Sequence, residues 1–199
     1  MTAFVVGLTG PMGAGKSTVA AMLRELGAKV LDADAIVHDE QLRGTVGYSA
    51  IVQTFGTKVL GEDREIDRSK LAAEVFADPA TLRRLEQIMH PRVIARVLEA
   101  RSMLPSDAVL VVEAIKLLDG EIRKVCDRIW VVVAPRRVML ERLAARGIGE
   151  REAELRLAQQ LTDDQFRAAA DAVIVNDGDR ERTRERVRDV WLELRPTRA

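Results

Sequence analysis

Apolar residues are spaced along this chain in two ways. Ala3-Phe-Val-Val-Gly-Leu-Thr9 is a short continuous apolar run, and Ala108-Val-Leu-Val-Val112, Ile129-Trp-Val-Val-Val133 and Ala172-Val-Ile-Val175 are of the same type. Runs of this length, rich in β-branched residues, predict strands covered on both faces, as in a parallel sheet. Lys29-Val-Leu31 predicts one more, ending in Asp32-Ala-Asp34. Elsewhere the apolar spacing is that of a helix. Val19, Leu23 and Leu26 predict a helix over Ser17 to Leu26, closed by Gly27. Strand, helix and strand within ~30 residues make a βαβ unit, whose crossover is right-handed.

From about His38 to Leu104 the pattern is helical with few strand signals. Asp78-Pro79 reads as a cap with proline at the first helical position, Leu82, Leu85, Ile88 and Met89 form a stripe, and Pro91 predicts a bend or restart. Pro135 opens a helix holding Arg136, Arg137, Arg142 and Arg146; Gly147-Ile-Gly149 interrupts it, and a second polar helix runs to about Phe166. The expected fold is α/β: a five-stranded, doubly wound parallel sheet within a single domain over 1–199. Its core would be drawn from 1–37, 105–135 and 171–199, with a helical insertion over 38–104 and an arginine-bearing segment over 136–170.

The turn after the first strand carries chemistry. Gly10-Pro11-Met12-Gly13-Ala14-Gly15-Lys16-Ser17, followed by Thr18, fits G-x-x-x-x-G-K-S/T between a predicted strand and a predicted helix. Gly10, Gly13 and Gly15 allow the backbone to bring its N–H groups onto phosphate oxygens, and the helix start adds its positive dipole end. Lys16 would serve the β- and γ-phosphates of ATP and Ser17 a Mg²⁺ ion. The pattern predicts a nucleotide-binding P-loop.

Composition narrows the partners. Lys+Arg and Asp+Glu are equal at 31 each, so the surface has no net field for nucleic acid or an anionic membrane. No apolar run approaches the ~20 residues of a bilayer span, and Met1 to Val6 lacks the marks of a signal peptide. The single cysteine, Cys126, and two histidines argue against disulfides and His-based metal sites, and the expected setting is cytoplasmic. Cys126, Trp130 and Trp191 lie in apolar patterns and are expected in or near the core.

Asp32 and Asp34 follow the second strand, at the sheet edge where open α/β folds bind ligands. On an extended chain the two carboxylates would face one side, ready to take a proton from an acceptor hydroxyl; the plainer alternative is a pair of helix caps. With Gly7-Leu-Thr-Gly10, Leu26-Gly27 and Val30-Leu-Asp-Ala-Asp34, the chain resembles the dephospho-CoA kinase family. Phe55-Gly56, Ile66-Asp-Arg68, Leu71, Val75-Phe76, Leu85-Glu86, His90-Pro91, Arg142, Arg146, Gln159-Gln160, Ala170-Asp171 and Val173-Ile-Val-Asn176 continue the resemblance in order. One segment departs: Glu113-Ala-Ile-Lys-Leu-Leu-Asp119 has Lys116 near the position where the family usually has proline.

The resemblance implies a P-loop kinase core with a helical acceptor-binding insertion and a lid. It implies transfer of the γ-phosphoryl of ATP, with Mg²⁺, to the ribose 3′-hydroxyl of dephospho-CoA, in a monomer or small homo-oligomer. Asp34 would be the base, with Asp32 shaping the site, and Arg142 and Arg146 would meet the transferring phosphate. His90 and Pro91 would belong to the acceptor lobe, Asn176 to the adenine pocket through its backbone, and Glu113 to the Mg²⁺ water shell. Two rivals are a kinase of another small alcohol and a nucleotide switch. The switch is disfavoured because no Asp-x-x-Gly follows the third strand and no Asn-Lys-x-Asp is present.

Overall fold

The computed structural model describes residues 2–118 and 120–194. Five strands, β1 (Phe4–Thr9), β2 (Lys29–Asp32), β3 (Val109–Glu113), β4 (Arg128–Val133) and β5 (Ala172–Val175), form one parallel sheet in the order β2-β3-β1-β4-β5. The predicted α/β class and all five strands are present, with ends shifted by a residue at most. β1 pairs with β3 through Val5↔Leu110 and with β4 through Leu8↔Trp130, and β4 pairs with β5 through Val131↔Val173. Because β1 sits between β3 and β4, the strand order reverses at its carboxyl end, where ligands of such sheets bind.

The solid apolar runs are buried as read. Val5, Val6, Leu8, Leu110, Val111, Val132 and Ile174 are fully enclosed, and α1 (Lys16–Glu25) covers the sheet with Val19 and Leu23. Trp130 and Trp191 join this core, at 2% and 6% exposure. Each fully buried side chain of this size contributes roughly 1.5–3 kcal/mol.

Two aspartates close the amino edge of the sheet. Asp127 accepts from the Val5 N–H at 2.7 Å while its own N–H donates to the Val5 carbonyl at 2.8 Å. Asp171 repeats the clasp on Ile129, at 2.7 and 2.8 Å. Each side chain satisfies a strand N–H that the ladder leaves open. Cys126, beside the first clasp, is half-buried and gives its thiol to the Ile122 carbonyl. Burial, helped by the Asp127 charge, pushes the thiol pKa up to about 11.

By its contacts the chain divides into two compact units, 1–31 with 101–199, and 32–100. The second is helical: α2 (Ala33–Glu40), α3 (Val46–Phe55), α4 (Arg68–Phe76) and most of α5 (Pro79–Ser102). Its core gathers Ile51, Phe55, Val59, Leu71, Val75 and Met89. Asp78 caps α5 as expected, accepting from the N–H groups of Ala80 and Thr81. The restart expected at Pro91 does not occur, since α5 is one helix with Pro91 inside it. Proline there removes one intrahelical bond, and the buried stripe Met89, Val93 and Val97 carries the helix across the gap.

The single polar helix expected up to Phe166 is two. α6 (Arg136–Ala144) is followed by α7 (Glu150–Ala158) and α8 (Asp163–Ala168), because Thr162 forms a capping box with Gln165 and starts a new helix. α9 (Arg180–Leu194) ends the described chain.

Asp171→Ala should lower stability by about 1–3 kcal/mol, by leaving the Ile129 N–H unpaired, read as a lower urea midpoint with an unchanged slope. Iodoacetamide at pH 8 should label Cys126 at least about tenfold more slowly in the native protein than in urea, since only the thiolate reacts.

Candidate active site

The loop Gly10–Ser17 leaves β1 at the point of strand reversal and runs into α1. Gly15 caps the helix in the left-handed region at φ +91°, with no side-chain cap and no acidic residue in the first turn. Side chains of Asp32, Thr45, Asp67 and Thr162 cap α2, α3, α4 and α8, whereas α6 and α7 share the uncapped start. The first turn of α1 therefore keeps its N–H groups and positive dipole end for an anion. Ser17 and Thr18 lie exposed on that turn.

A loop that turns N–H groups to an anion must satisfy its carbonyls elsewhere. Lys16, only 8% exposed, donates its Nζ to the carbonyls of Gly10 at 2.9 Å and Pro11 at 3.2 Å. Arg142 Nη1 donates to the carbonyls of Gly13 at 3.2 Å and Ala14 at 3.0 Å. Asn176 Nδ2 donates to Ala14 at 2.8 Å. At the loop's start, Gln160 Oε1 accepts from the Met12 N–H at 2.9 Å. Gly10 and Gly15 are required by space as well as by φ. A Cβ on Gly10 would lie 2.1 Å from the Val132 carbonyl oxygen, and one on Gly15 would lie 2.1 Å from Asn176 Nδ2.

Several expected placements change. The chain turns helical at Ala33, so Asp32 and Asp34 do not share an extended face. Asp32 is the N-cap of α2, accepting from the N–H groups of Asp34 and Ala35 at 2.9 and 3.2 Å, and Asp34 stands exposed in the first helical turn. The capping alternative thus holds for Asp32. Arg142 and Arg146 are not one turn apart on a helix. α6 ends at Ala144 and tightens, with Arg146 N–H bonding to Leu143 and Gly147 N–H to Ala144.

The two arginines differ accordingly. Arg142 is half-buried against the loop, and burial, with repulsion from Arg146 and some relief from Asp177, lowers its pKa from the usual value. Arg146 is exposed. Arg136 and Arg137 pair with Glu154 and Glu141 on the surface, as expected of a solvated face.

Asn176 directly follows β5. It is 4% exposed, its N–H donates to the Val133 carbonyl at 2.8 Å, and its carbonyl accepts from Arg142 at 3.3 Å. Its side chain faces the loop. Glu113 ends β3 opposite Leu8, half-buried. The departing segment after it is anchored by Leu117, fully buried, and by the Ile115 carbonyl, which accepts from Thr9; Lys116 is exposed, and Asp119 lies outside the described residues. In the helical unit, His90 is half-buried on α5. Pro91 lines a groove of about 410 Å³ with Val46, Ala50, Ile88, Arg92 and Arg96. Arg92 Nε is buried there without a hydrogen bond.

Two residues of the loop's surroundings escaped the sequence reading. Gln160 entered only as a landmark of the resemblance, and Thr183, fully buried in α9, gave no signal because it stands among the charged residues that open the helix.

A sequence model described as dephospho-CoA kinase matches residues 4–182. The chain belongs to the dephospho-CoA kinase family. A dephospho-CoA kinase of Aquifex aeolicus is 41% identical over 189 residues, covering 95% of this chain and 96% of its own. That of Geobacter metallireducens is 44% identical over 194 residues, with the same coverage. The solved dephospho-CoA kinase from Campylobacter jejuni superposes at a TM-score of 0.70 with 25% identity over 96% of both chains. Shikimate kinase from Acinetobacter baumannii, at 19% identity and a TM-score of 0.57, shares the fold. The family phosphorylates dephospho-CoA to CoA in the last step of CoA biosynthesis, and this chain is an ATP-using P-loop kinase of that family.

Gly15→Ala should weaken ATP binding about tenfold to a hundredfold, the cost of strain at a left-handed position against a buried amide. Titration calorimetry on the folded variant measures it.

Proposed function

We propose that this chain transfers the γ-phosphoryl of ATP to the ribose 3′-hydroxyl of dephospho-CoA, with the loop Gly10–Thr18 holding the nucleotide and Asp34 accepting the hydroxyl proton. The observation that carries the reading is the uncapped, acid-free start of α1 behind a loop whose carbonyls are held by Lys16, Arg142 and Asn176. Such a loop offers N–H groups and a dipole end to a polyphosphate, and phosphoryl transfer depends mainly on this kind of positioning and charge neutralisation. Lys16, already buried at the loop, would move to the β- and γ-phosphates.

Among the described residues no cluster of three His, Cys, Asp or Glu side chains could cage a metal. The exposed Ser17 hydroxyl suits Mg²⁺, which keeps several waters and takes phosphate oxygens as ligands. Ser17 would hold the ion, which supplies charge neutralisation on the phosphates.

Asp34, in the first turn of the helix that Asp32 caps, is the base; its weak basicity suffices where the transition state is loose. Of the two arginines, Arg146 is the one to reach the transferring phosphate, because Arg142 is engaged with the loop. The helical segment 38–104, with His90 and Pro91, would bind the acceptor, with Arg92 and Arg96 of the groove, which Glu40 and Glu99 also line, meeting its pyrophosphate. The segment 136–170 would close as a lid and exclude water, which would otherwise consume ATP. A cytoplasmic setting, small-molecule partners alone and a monomer or small homo-oligomer belong to the same reading, supported by zero net charge and a lone cysteine.

An acceptor screen following ADP release tests the reaction. ADP should form with dephospho-CoA and not with adenosine, AMP, pantothenate or a blank. Asp34→Asn and Arg146→Ala should each lower kcat about a hundredfold or more. Turnover with a different acceptor, or full activity in Asp34→Asn, would discard the assignment. Arg92→Ala should raise KM for dephospho-CoA roughly tenfold while leaving KM for ATP in place, as expected for one charged hydrogen bond.

A further inference from the structure

Asn176 stands where the sequence suggested a nucleobase contact, yet every polar atom of its side chain is spent on the protein. Nδ2 donates to the Ala14 carbonyl at 2.8 Å, and Oδ1 accepts from Arg142 Nη2 at 3.0 Å and from the Thr183 hydroxyl at 3.3 Å. The single Thr183 hydroxyl proton is shared between Oδ1 and the nearer Asp179 carbonyl at 2.8 Å. The amide can point only one way. Reversed, it would set its NH₂ against a guanidinium, which has no acceptor, and its oxygen against the Ala14 carbonyl. The backbone fixes the residue from the other side through the bond to Val133.

The site is a buried three-way junction. One amide joins the phosphate loop to α6 through Arg142 and to α9 through Thr183, and Arg142 in turn grips Gly13 and Ala14. The contact is close enough that it also dictates glycine at position 15. Ala14 and Gly15 immediately precede the helical turn that receives the anion, so an error there displaces the N–H groups that bind phosphate.

We propose that Asn176 is a positioning residue that fixes the phosphate loop from behind, so that affinity for the polyphosphate part of the nucleotide, and not for its base, depends on it. The proposal rests on the reading of the loop as a phosphate binder. It separates cleanly from a base-contact role, because inorganic tripolyphosphate has phosphates and no base.

The test measures binding of Mg-ATP, Mg-tripolyphosphate and adenosine by calorimetry to the parent chain and to Asn176→Asp, Asn176→Ala and Thr183→Val. Asn176→Asp keeps the shape and the acceptor to Arg142 but loses the donor to Ala14. It should weaken ATP and tripolyphosphate by the same factor, about tenfold or more for a lost hydrogen bond to a buried group, with adenosine unchanged. Thr183→Val keeps the amide and loses one partner of Oδ1, so a smaller, parallel loss in both phosphate ligands is expected. In turnover, KM for ATP should rise in Asn176→Asp while KM for dephospho-CoA stays. Loss for ATP and adenosine with tripolyphosphate unaffected would overturn the proposal in favour of a base contact, as would unaltered binding of all three ligands. If Asn176→Ala fails to fold, Asn176→Asp and Thr183→Val decide alone. A parent chain that binds neither ATP nor tripolyphosphate would overturn the reading of the loop itself, and the proposal with it.

Discussion

Backbone dipoles of the phosphate loop cannot face an anion on one side without presenting their oxygen ends to the protein on the other. That constraint orders much of the larger unit. A buried lysine, an arginine from α6 and an amide at the end of β5 converge on four carbonyls within five residues, Gly10, Pro11, Gly13 and Ala14. Each donor comes from a different element, and each element is placed by the sheet: α1 follows β1, α6 follows β4, and Asn176 follows β5. The strand order, with β1 between β3 and β4, makes this convergence short-ranged in space although it spans more than a hundred residues of chain.

The two edges of the sheet are specialised in opposite senses. At the amino edge, carboxylates of Asp127 and Asp171 fill open N–H groups of β1 and β4, so the negative charge is supplied by the chain. At the carboxyl edge no side chain caps the start of α1. Stability is concentrated where side chains complete the backbone bonding, and binding capacity where they do not.

What could be read in the sequence followed from repeated, local signals. Strands with unbroken β-branched runs were legible to within a residue, and the phosphate loop was legible because its spacing sits between such a strand and a helix. Breaks set by side-chain capping were harder. Asp32 ends β2 by capping α2, and Thr162 with Gln165 divides a polar stretch that charge pattern alone presents as continuous. At Pro91 the restart does not occur: burial of Met89 and Val93 on either side outweighs one missing bond. The support of the loop by Gln160, Asn176 and Thr183 depends on contacts across 148, 162 and, from Asn176 to Thr183, 7 residues, and no local pattern encodes the first two. Membership of the dephospho-CoA kinase family supplies the reaction; the division between the engaged Arg142 and the exposed Arg146 comes only from three-dimensional contacts.

The distances along the chain at which the loop is supported have a consequence for synthesis. Gly10–Ser17 is synthesised more than a hundred residues ahead of Arg142, Gln160 and Asn176. At ~5–20 residues per second the loop waits many seconds for them. During translation β1 likewise lacks the Asp127 clasp and its β4 neighbour. The nascent chain therefore carries the phosphate-loop sequence long before it has the side chains that hold the loop's carbonyls. The side-chain support of the loop is complete only once Asn176 has emerged.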